Sequence, residues 1–333
     1  MAQMSTRELM AAITGLTEYQ LQTVTEQIKQ YLALNEELQD TYPKACPRCG
    51  RTDGRFIKKG FQHGKQRYQC KCCGSKFTYD VGRITSGSHM NMDEWSVALE
   101  DTLTLKPLRV TEKKLSISHP AAFDMRHKLL VYMEDIVDPF EFLEPLVEAD
   151  ETYVLESQKG TPVTHRKPRH RGGHASKRGL SDEQYCVCMA TDRVGHAVMA
   201  CVNRSQPTKD DIIDAIGEYI TPGSIIMCDG SRSYNKLISD TNSTEKRLIG
   251  HESYTRLYHL NTINSIHSRF ASMLRQFRGI ATKYLNRYLA LFGLLVMNTK
   301  GFGDFLYEVR RRLKSVAKSV NIKSLKSAGI LTF

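Results

Sequence analysis

The chain has 333 residues, 41% of them hydrophobic and 25% charged, a balance that supports at least one sizeable core and excludes a disordered or fibrous protein. It has no run of eighteen apolar residues, so no membrane span is expected. The opening MAQMSTRELM lacks the basic-then-apolar order of a secretory leader. The expected location is the cytoplasm, where nine cysteines do not make a disulfide framework. The net charge of +11 is unevenly spread: −4 over residues 1–40, +9 over 41–90, +6 over 156–180 and +11 over 264–333. Three basic blocks point to contacts with a polyanion, nucleic acid before any other.

The first region, 1–42, contains one helical pattern. Leu16, Tyr19, Val24, Ile28 and Leu32 recur near helical spacing over 15–40, with Thr17 as N-cap, and predict a packing or interaction helix. A second region, 43–82, carries the strongest local signal. Cys46-x-x-Cys49 and Cys70-x-x-Cys73 are two knuckles whose thiolates can surround one tetrahedral zinc. Gly50 and Gly74 follow them, where a tight turn favours glycine. The stretch between alternates like a β-hairpin, the layout of a zinc ribbon. Cys72 is the cysteine left over. Lys58, Lys59, Lys65 and Arg67 make the ribbon basic, which suits DNA contact; a purely structural zinc inside an interface is the other reading. Cys186, Cys188, Cys201 and Cys228 lie in apolar, strand-like runs and read as core.

A third region, 90–138, reads as short helices. Over 109–133 two helices are separated by a break near Ile117–Ser118, and Pro120 suits the first turn of the second. Leu115, Ile117, Phe123, Leu129 and Leu130 would pack the pair. Ser118, His119, Arg126, His127 and Lys128 would then face a DNA groove as in a helix-turn-helix, with simple helix packing as the alternative.

Residues 146–155, LVEADETYVL, are strand-like at both ends with three acids between. Side chains alternate along a strand, so Glu148 and Asp150 share one face and Glu151 takes the other. The ordinary reading is a solvated sheet edge; the chemical one is a strand that holds a metal. The elements C-terminal to this strand favour the second. Strands are expected over 184–192 and 195–202, a helix over 208–220, a buried strand over 224–230 ending in Asp229, and a helix from Ser231. This is the order of an α/β (α+β) ribonuclease-H-like core, here assigned to 144–299 ahead of a basic tail over 300–333. In that fold strands one and four are neighbours, so Asp150 and Asp229 converge. Two adjacent carboxylates repel and need a cation, and Mg²⁺ takes hard oxygen donors while leaving positions for water and phosphate. A third donor is expected from a late helix in 259–279, where Asn264 sits near the start; capping is the common reason for an asparagine there.

DETYVLESQKG, RKPRHRGGHASKRGLSDEQYCV, CDGSRSYNKL and HLNTINSIHSRFASMLRQFRGIATKYLNRYLALF together resemble the insertion-sequence fifteen-ninety-five family of transposases, whose catalytic domain is called ISXO-two-like. The resemblance spans nearly all of 43–297. It implies a DDE-type transposase with a ribonuclease-H-like core, an N-terminal zinc ribbon with Zn²⁺ on Cys46, Cys49, Cys70 and Cys73, and a helical DNA-binding region. Mg²⁺ or Mn²⁺ would serve cutting and joining of double-stranded DNA at terminal inverted repeats. Asp150 and Asp229 match the two acids of the family motif. Asn264 matches its third position, asparagine in one branch. That branch often has a lysine seven residues later, where this chain has Ala271; Arg269 or Arg275 would stand in. The basic stretch 156–180 then reads as a DNA-tracking loop, with Arg166, Lys167, Arg169, Arg171, Lys177 and Arg178 on phosphates. A homo-oligomer on DNA in the bacterial nucleoid is implied. The alternative is a degenerate or domesticated transposase that binds DNA through the zinc ribbon without cutting.

Overall fold

The computed structural model describes residues 42–315 except 44, 54, 138–141, 161–166, 168, 171–172 and 250–252. The helix expected over 15–40, and 316–333 of the basic tail, lie outside these residues. No described helix is long and apolar enough to cross a membrane.

The first unit is a three-stranded antiparallel sheet in the order β1-β2-β3: β1 Phe56–Gln62, β2 Lys65–Cys70 and β3 Lys76–Thr78. His63 and Gly64 join β1 to β2, both at positive φ, the backbone a two-residue hairpin loop demands. Phe56, Tyr68 and Phe77 pack with Cys46 and Cys70 into a small core. Lys65 begins β2 and is buried. Its ammonium donates to Asp80 Oδ2 at 2.6 Å and to the carbonyls of Thr85 and Ser88 at 2.7 and 2.8 Å. One cation thus ties the little sheet to the chain that leaves it.

Three helices follow: α1 Met92–Leu103, α2 Leu108–Leu115 and α3 His119–Met133. Asn91 and Glu94 form a reciprocal capping box at the start of α1, satisfying two orphan amides. Ser116 in the left-handed region ends α2, and Ser118 caps α3. The two-helix arrangement expected over 109–133 is present, but the side chains expected to face a groove are not all free to do so. Arg126, His127 and Lys128 are buried. Arg126 donates to the Lys106 carbonyl at 2.6 Å and lies over Phe277. Lys128 donates to the Ser86 carbonyl at 2.7 Å and lies over Trp95. His127 stacks between Phe123 and Tyr284. The physical reason is that α3 is covered on every side from Met125 to Met133, so it has no polar stripe to present. Burial pushes Lys128 down to about 8 and His127 down to about 3, the latter with help from the Arg287 charge. Of the five side chains expected to face a groove, Ser118 and His119 at the start of α3 are exposed.

The second unit is a five-stranded mixed sheet in the order β6-β5-β4-β7-β8. It is built from β4 Leu146–Leu155, β5 Gln184–Thr191, β6 Ala197–Arg204, α4 Lys209–Ile216, β7 Ile225–Cys228, α5 Asn235–Asp240, β8 Thr244–Arg247, α6 Asn261–Gln276, α7 Leu285–Val296 and α8 Phe302–Ser315. β4 pairs antiparallel with β5 and parallel with β7, so strands one and four are neighbours as expected. β6 begins two residues later than expected. The Asp192 carboxylate gathers the amides of Val194, Gly195 and His196 at 2.9–3.0 Å and holds 192–196 as a turn. The helix expected to reach residue 220 is α-helical only to Ile216, then tightens into a 3₁₀ turn. Odd residues of β4, Val147 and Ala149, pack under α4 and α5 with Ile212, Ile216 and Leu237. Even residues Leu146 and Val154 join the opposite core with Ile263, Ile266, Phe270 and Met273 of α6. The sheet is therefore sandwiched, and α6 lies on the face that carries Glu148 and Asp150.

Lys65→Met leaves Asp80 and two carbonyls buried without their cation. Breaking a buried pair in this way costs about 3–5 kcal/mol. The expected result in urea unfolding is a loss of that size, with part of it recovered in Lys65→Met/Asp80→Asn.

Candidate active site

β4 and β7 run parallel with Glu148 opposite Met227. Two residues further along each strand this register sets Asp150 beside Asp229, just past the end of β7. β4 continues beyond β7 as far as Leu155, so Asp150 sits where the sheet opens a notch. Asp229 is exposed, and its Oδ1 accepts from the Ser231 amide at 2.9 Å, which fixes the carboxylate at the entry to the next helix. Asp150 is raised to about 6, by burial first and then by the Asp229 charge. Glu151, on the opposite face beside Tyr234, is raised to about 7 by burial and by both aspartates. Asp150 and Glu151 thus stand in the field of Asp229 with too little solvent of their own to relax them.

Glu148 has a different task. It is fully buried. Its carboxylate pairs with Arg193, lies 3.2 Å from His259 Nδ1, and accepts the Ile263 backbone amide at 2.8 Å. Arg193 reaches on to Thr262 Oγ1 at 2.9 Å and to the Leu257 carbonyl at 3.2 Å. An anion is thereby seated on the first turn of α6, where unpaired amides favour negative charge. The clamp sets how α6 lies along β4. A helix rises about 1.5 Å per residue and a strand about 3.3 Å, so four helix residues match two strand residues. Ile263 sits at Glu148, and His267 reaches Asp150, with Nδ1 3.8 Å from Asp150 Oδ2. Asn264 lies on the first turn of α6 and is exposed. His267 is held low, at about 4, by burial.

Asp150, held up in part by the Asp229 charge, and Asp229, open to solvent at the notch, bring two carboxylates together in a pairing that suits a divalent cation. His267 turns its Nδ1 toward Asp150, and its Nε2 is buried without a hydrogen-bond partner. The residues fit the ion the sequence implies.

Residues 142–293 match the family model of the ISXO2-like transposase domain. This chain carries an ISXO2-like transposase domain. No curated protein matches the chain. Among solved structures it is similar to the Mos1 transposase paired-end complex with left transposon end, at 12% identity, 72% of this chain and 79% of that one covered, TM-score 0.26. It is similar to the Mos1 strand transfer complex at 12% identity, 73% and 79% covered, TM-score 0.27.

Around the transposase domain the basic candidates fall into three groups. Lys167, Lys177, Arg178, Arg269 and Arg275 are exposed, as are Lys58 and Lys59 on β1. Arg169 is turned inward: it pairs with Glu183 and donates to the Glu156 carbonyl at 2.6 Å, so it staples the basic loop and is not presented to solvent. Arg166 and Arg171 lie outside the described residues. The loop begins six residues beyond Asp150, about 20 Å along the strand direction. Its start is fastened to the end of α6 by Lys159, which donates to the Gly279 carbonyl at 2.9 Å, and by the Thr282 amide on the Ser157 carbonyl.

The four cysteines form the second candidate centre. Cys46 and Cys73 sulfurs are 3.6 Å apart and Cys49 and Cys70 sulfurs 3.8 Å, and all four lie within 4.8 Å of one another. A tetrahedral ion with bonds of about 2.3 Å sets its sulfurs about 3.8 Å apart. Cys72 is exposed and outside the group. Although burial raises the Cys46 thiol, amides of Cys49 and Arg48 outweigh it and bring it to about 6, ready to bind as thiolate.

Glu148→Gln leaves the partly buried Arg193 against a neutral partner. We expect a loss of about 3–5 kcal/mol and faster hydrogen exchange at the Ile263 amide than at the middle of α6. Asp150→Asn has the opposite sign. Its carboxyl is raised in the folded chain, so its charge costs stability above pH 6 and the cost fades as pH falls through about 6. Without added divalent cation, Asp150→Asn should be more stable than the native chain by on the order of 2 kcal/mol at pH 8, with the gap closing toward pH 5 in urea titrations.

Proposed function

We propose that this protein is a metal-dependent DNA transposase that binds the terminal inverted repeats of an insertion sequence and catalyses strand cleavage and strand transfer. The observation that carries the reading is the Asp150–Asp229 juxtaposition across the parallel pair β4–β7 within a transposase domain. The five-stranded order, with strands one and four adjacent, supports a ribonuclease-H-like core over 144–299. Asp150, Asp229 and Asn264 would hold Mg²⁺ or Mn²⁺. A divalent ion there supplies Lewis acidity for the attacking and leaving oxygens of a phosphodiester. The chain's own share is placement: Glu148 and Arg193 fix α6, Asp229 is steadied by the Ser231 amide, and the acids share one notch. Hydrolysis at the element end frees a 3′-hydroxyl, which then attacks target DNA, so no covalent protein–DNA intermediate is required.

The cysteine group supports a zinc ribbon over 43–82, leading into a helical DNA-binding region over 90–138. Lys58, Lys59, Lys167, Lys177, Arg178, Arg269 and Arg275 would meet phosphates of double-stranded DNA. Each phosphate neutralised adds a slope of about −0.9 to log K against log salt. Two element ends must meet, so a homo-oligomer on nucleoid DNA is expected, with 1–42 as a contact region and 300–333 as a basic tail. Ala271 favours a second reading, a degenerate transposase that binds without cutting; Arg269 and Arg275, both exposed on α6, answer it.

The test is incubation of the purified chain with labelled DNA carrying its own element's end, with Mg²⁺ or Mn²⁺, beside Asp229→Ala. We expect cleavage at the repeat boundary by the native chain and a loss of at least about a thousandfold in the variant. Specific binding with no cleavage in either metal would establish the degenerate reading instead.

A further inference from the structure

The two edges of the five-stranded sheet are finished differently. β8, at one edge, reads TEKR, and its charges discourage pairing with a further strand. β6, at the other, runs from Ala197 to Cys201 with no charge and no proline, and its register irregularity falls beyond Cys201. Alternate residues of an antiparallel strand turn their backbone groups the same way. The Cys201 amide turns away from β5 and is taken by Asn286 Oδ1 at 3.4 Å, so Met199 and Ala197 turn outward too. Among the described residues, none bonds the Met199 amide from that side.

These outward groups open into a groove of about 480 Å³. Ala197–Ala200 form its floor, Leu289, Ala290 and Gly293 of α7 line one side, and Tyr219 lines another. Leu289 belongs to the core on one face of the sheet, and Tyr219 packs on the core of the other. The groove thus has the place of a missing strand, at the sheet edge between two layers. Glu134 and Asp135 also line it, and no lysine or arginine does. A second copy's β6 laid on the same edge would therefore bring like charges together.

The chain itself holds a better occupant. Arg312, in the last turn of α8, donates to the Ile136 carbonyl at 3.2 Å, which sets the end of α8 one residue from Asp135. Residues 316–333 continue from there, with Lys318, Lys323, Lys326 and no acid, a charge complementary to the groove. Their last four, Ile330-Leu331-Thr332-Phe333, favour a strand and place apolar residues on both alternating faces, as a strand between two layers requires. The intervening residues 316–329 can span up to about 46 Å, against about 13 Å for the edge of Ala197–Ala200. We propose that Ile330–Phe333 fill this groove within the same chain as a sixth strand on β6, bonded to the outward backbone groups of Ala197 and Met199.

The experiment uses the full zinc-loaded chain. In one form p-benzoylphenylalanine replaces Phe333, an equal mixture of ¹⁴N and ¹⁵N chains is irradiated, and the cross-linked peptides are identified by mass. The expected links run to β6, Tyr219 or Leu289 and never join the two isotopes. Hydrogen exchange at the Met199 amide is followed in the native chain beside Leu331→Asp. Slow exchange is expected in the native chain, faster by on the order of tenfold in the variant, with β4 and β5 unchanged. Links on the same residues that join the two isotopes give the groove to a second copy's tail and overturn the assignment. A Met199 amide that exchanges like an unprotected one in the native chain overturns it too, as does slow exchange that survives Leu331→Asp. The cross-link and the native exchange rate decide the matter even where Leu331→Asp folds poorly.

Discussion

A buried carboxylate on a helix's first turn governs this molecule. Glu148 has no solvent to share its charge with, so it must be paired, and the structure pairs it with Arg193 and with the amide of Ile263. Helix and strand have different rises, and an amphipathic helix can slide along an apolar sheet face at little cost, because Leu, Ile and Phe contacts are non-directional. A charge-assisted bond to a single backbone amide is directional and strong. It selects one sliding position, and the residues that face Asp150 follow from it.

The same logic explains why the acids can be crowded. A folded domain is stable by only about 5–15 kcal/mol, yet Asp150 and Glu151 are both held above their ordinary range. The surrounding scaffold tolerates this because each face of β4 is independently packed. Val147 and Ala149 anchor it to one helical layer, and Leu146 and Val154 to the other. The polar positions in between are a concession in an otherwise apolar strand, located where a cation would relieve them.

Much of this was legible in the sequence. The bounds of β4 follow from its alternation, the adjacency of strands one and four from the element order, and the cysteine group from two knuckles of fixed spacing. What was not legible has identifiable causes. β8 reads TEKR, with no apolar residue to mark it, because it is the edge strand and is half exposed. The burial of Arg126 and Lys128 was hidden because cations usually stay at the surface; their partners are the carbonyls of Lys106 and Ser86, which no side-chain pattern reveals. The clamp joins residues 45 and 115 positions apart, so no local window contains it. Glu148 had been visible only as a companion of Asp150, and His267 only as one letter within a longer run.

Because the seat of α6 is fixed by Glu148 and Arg193, the helix has one register along β4. The five residues from Ile263 to His267 measure out the reach from that seat to Asp150. One insertion among them would turn the histidine about 100° around the helix, away from the aspartate it faces. In this short span the number of residues matters as much as their identity.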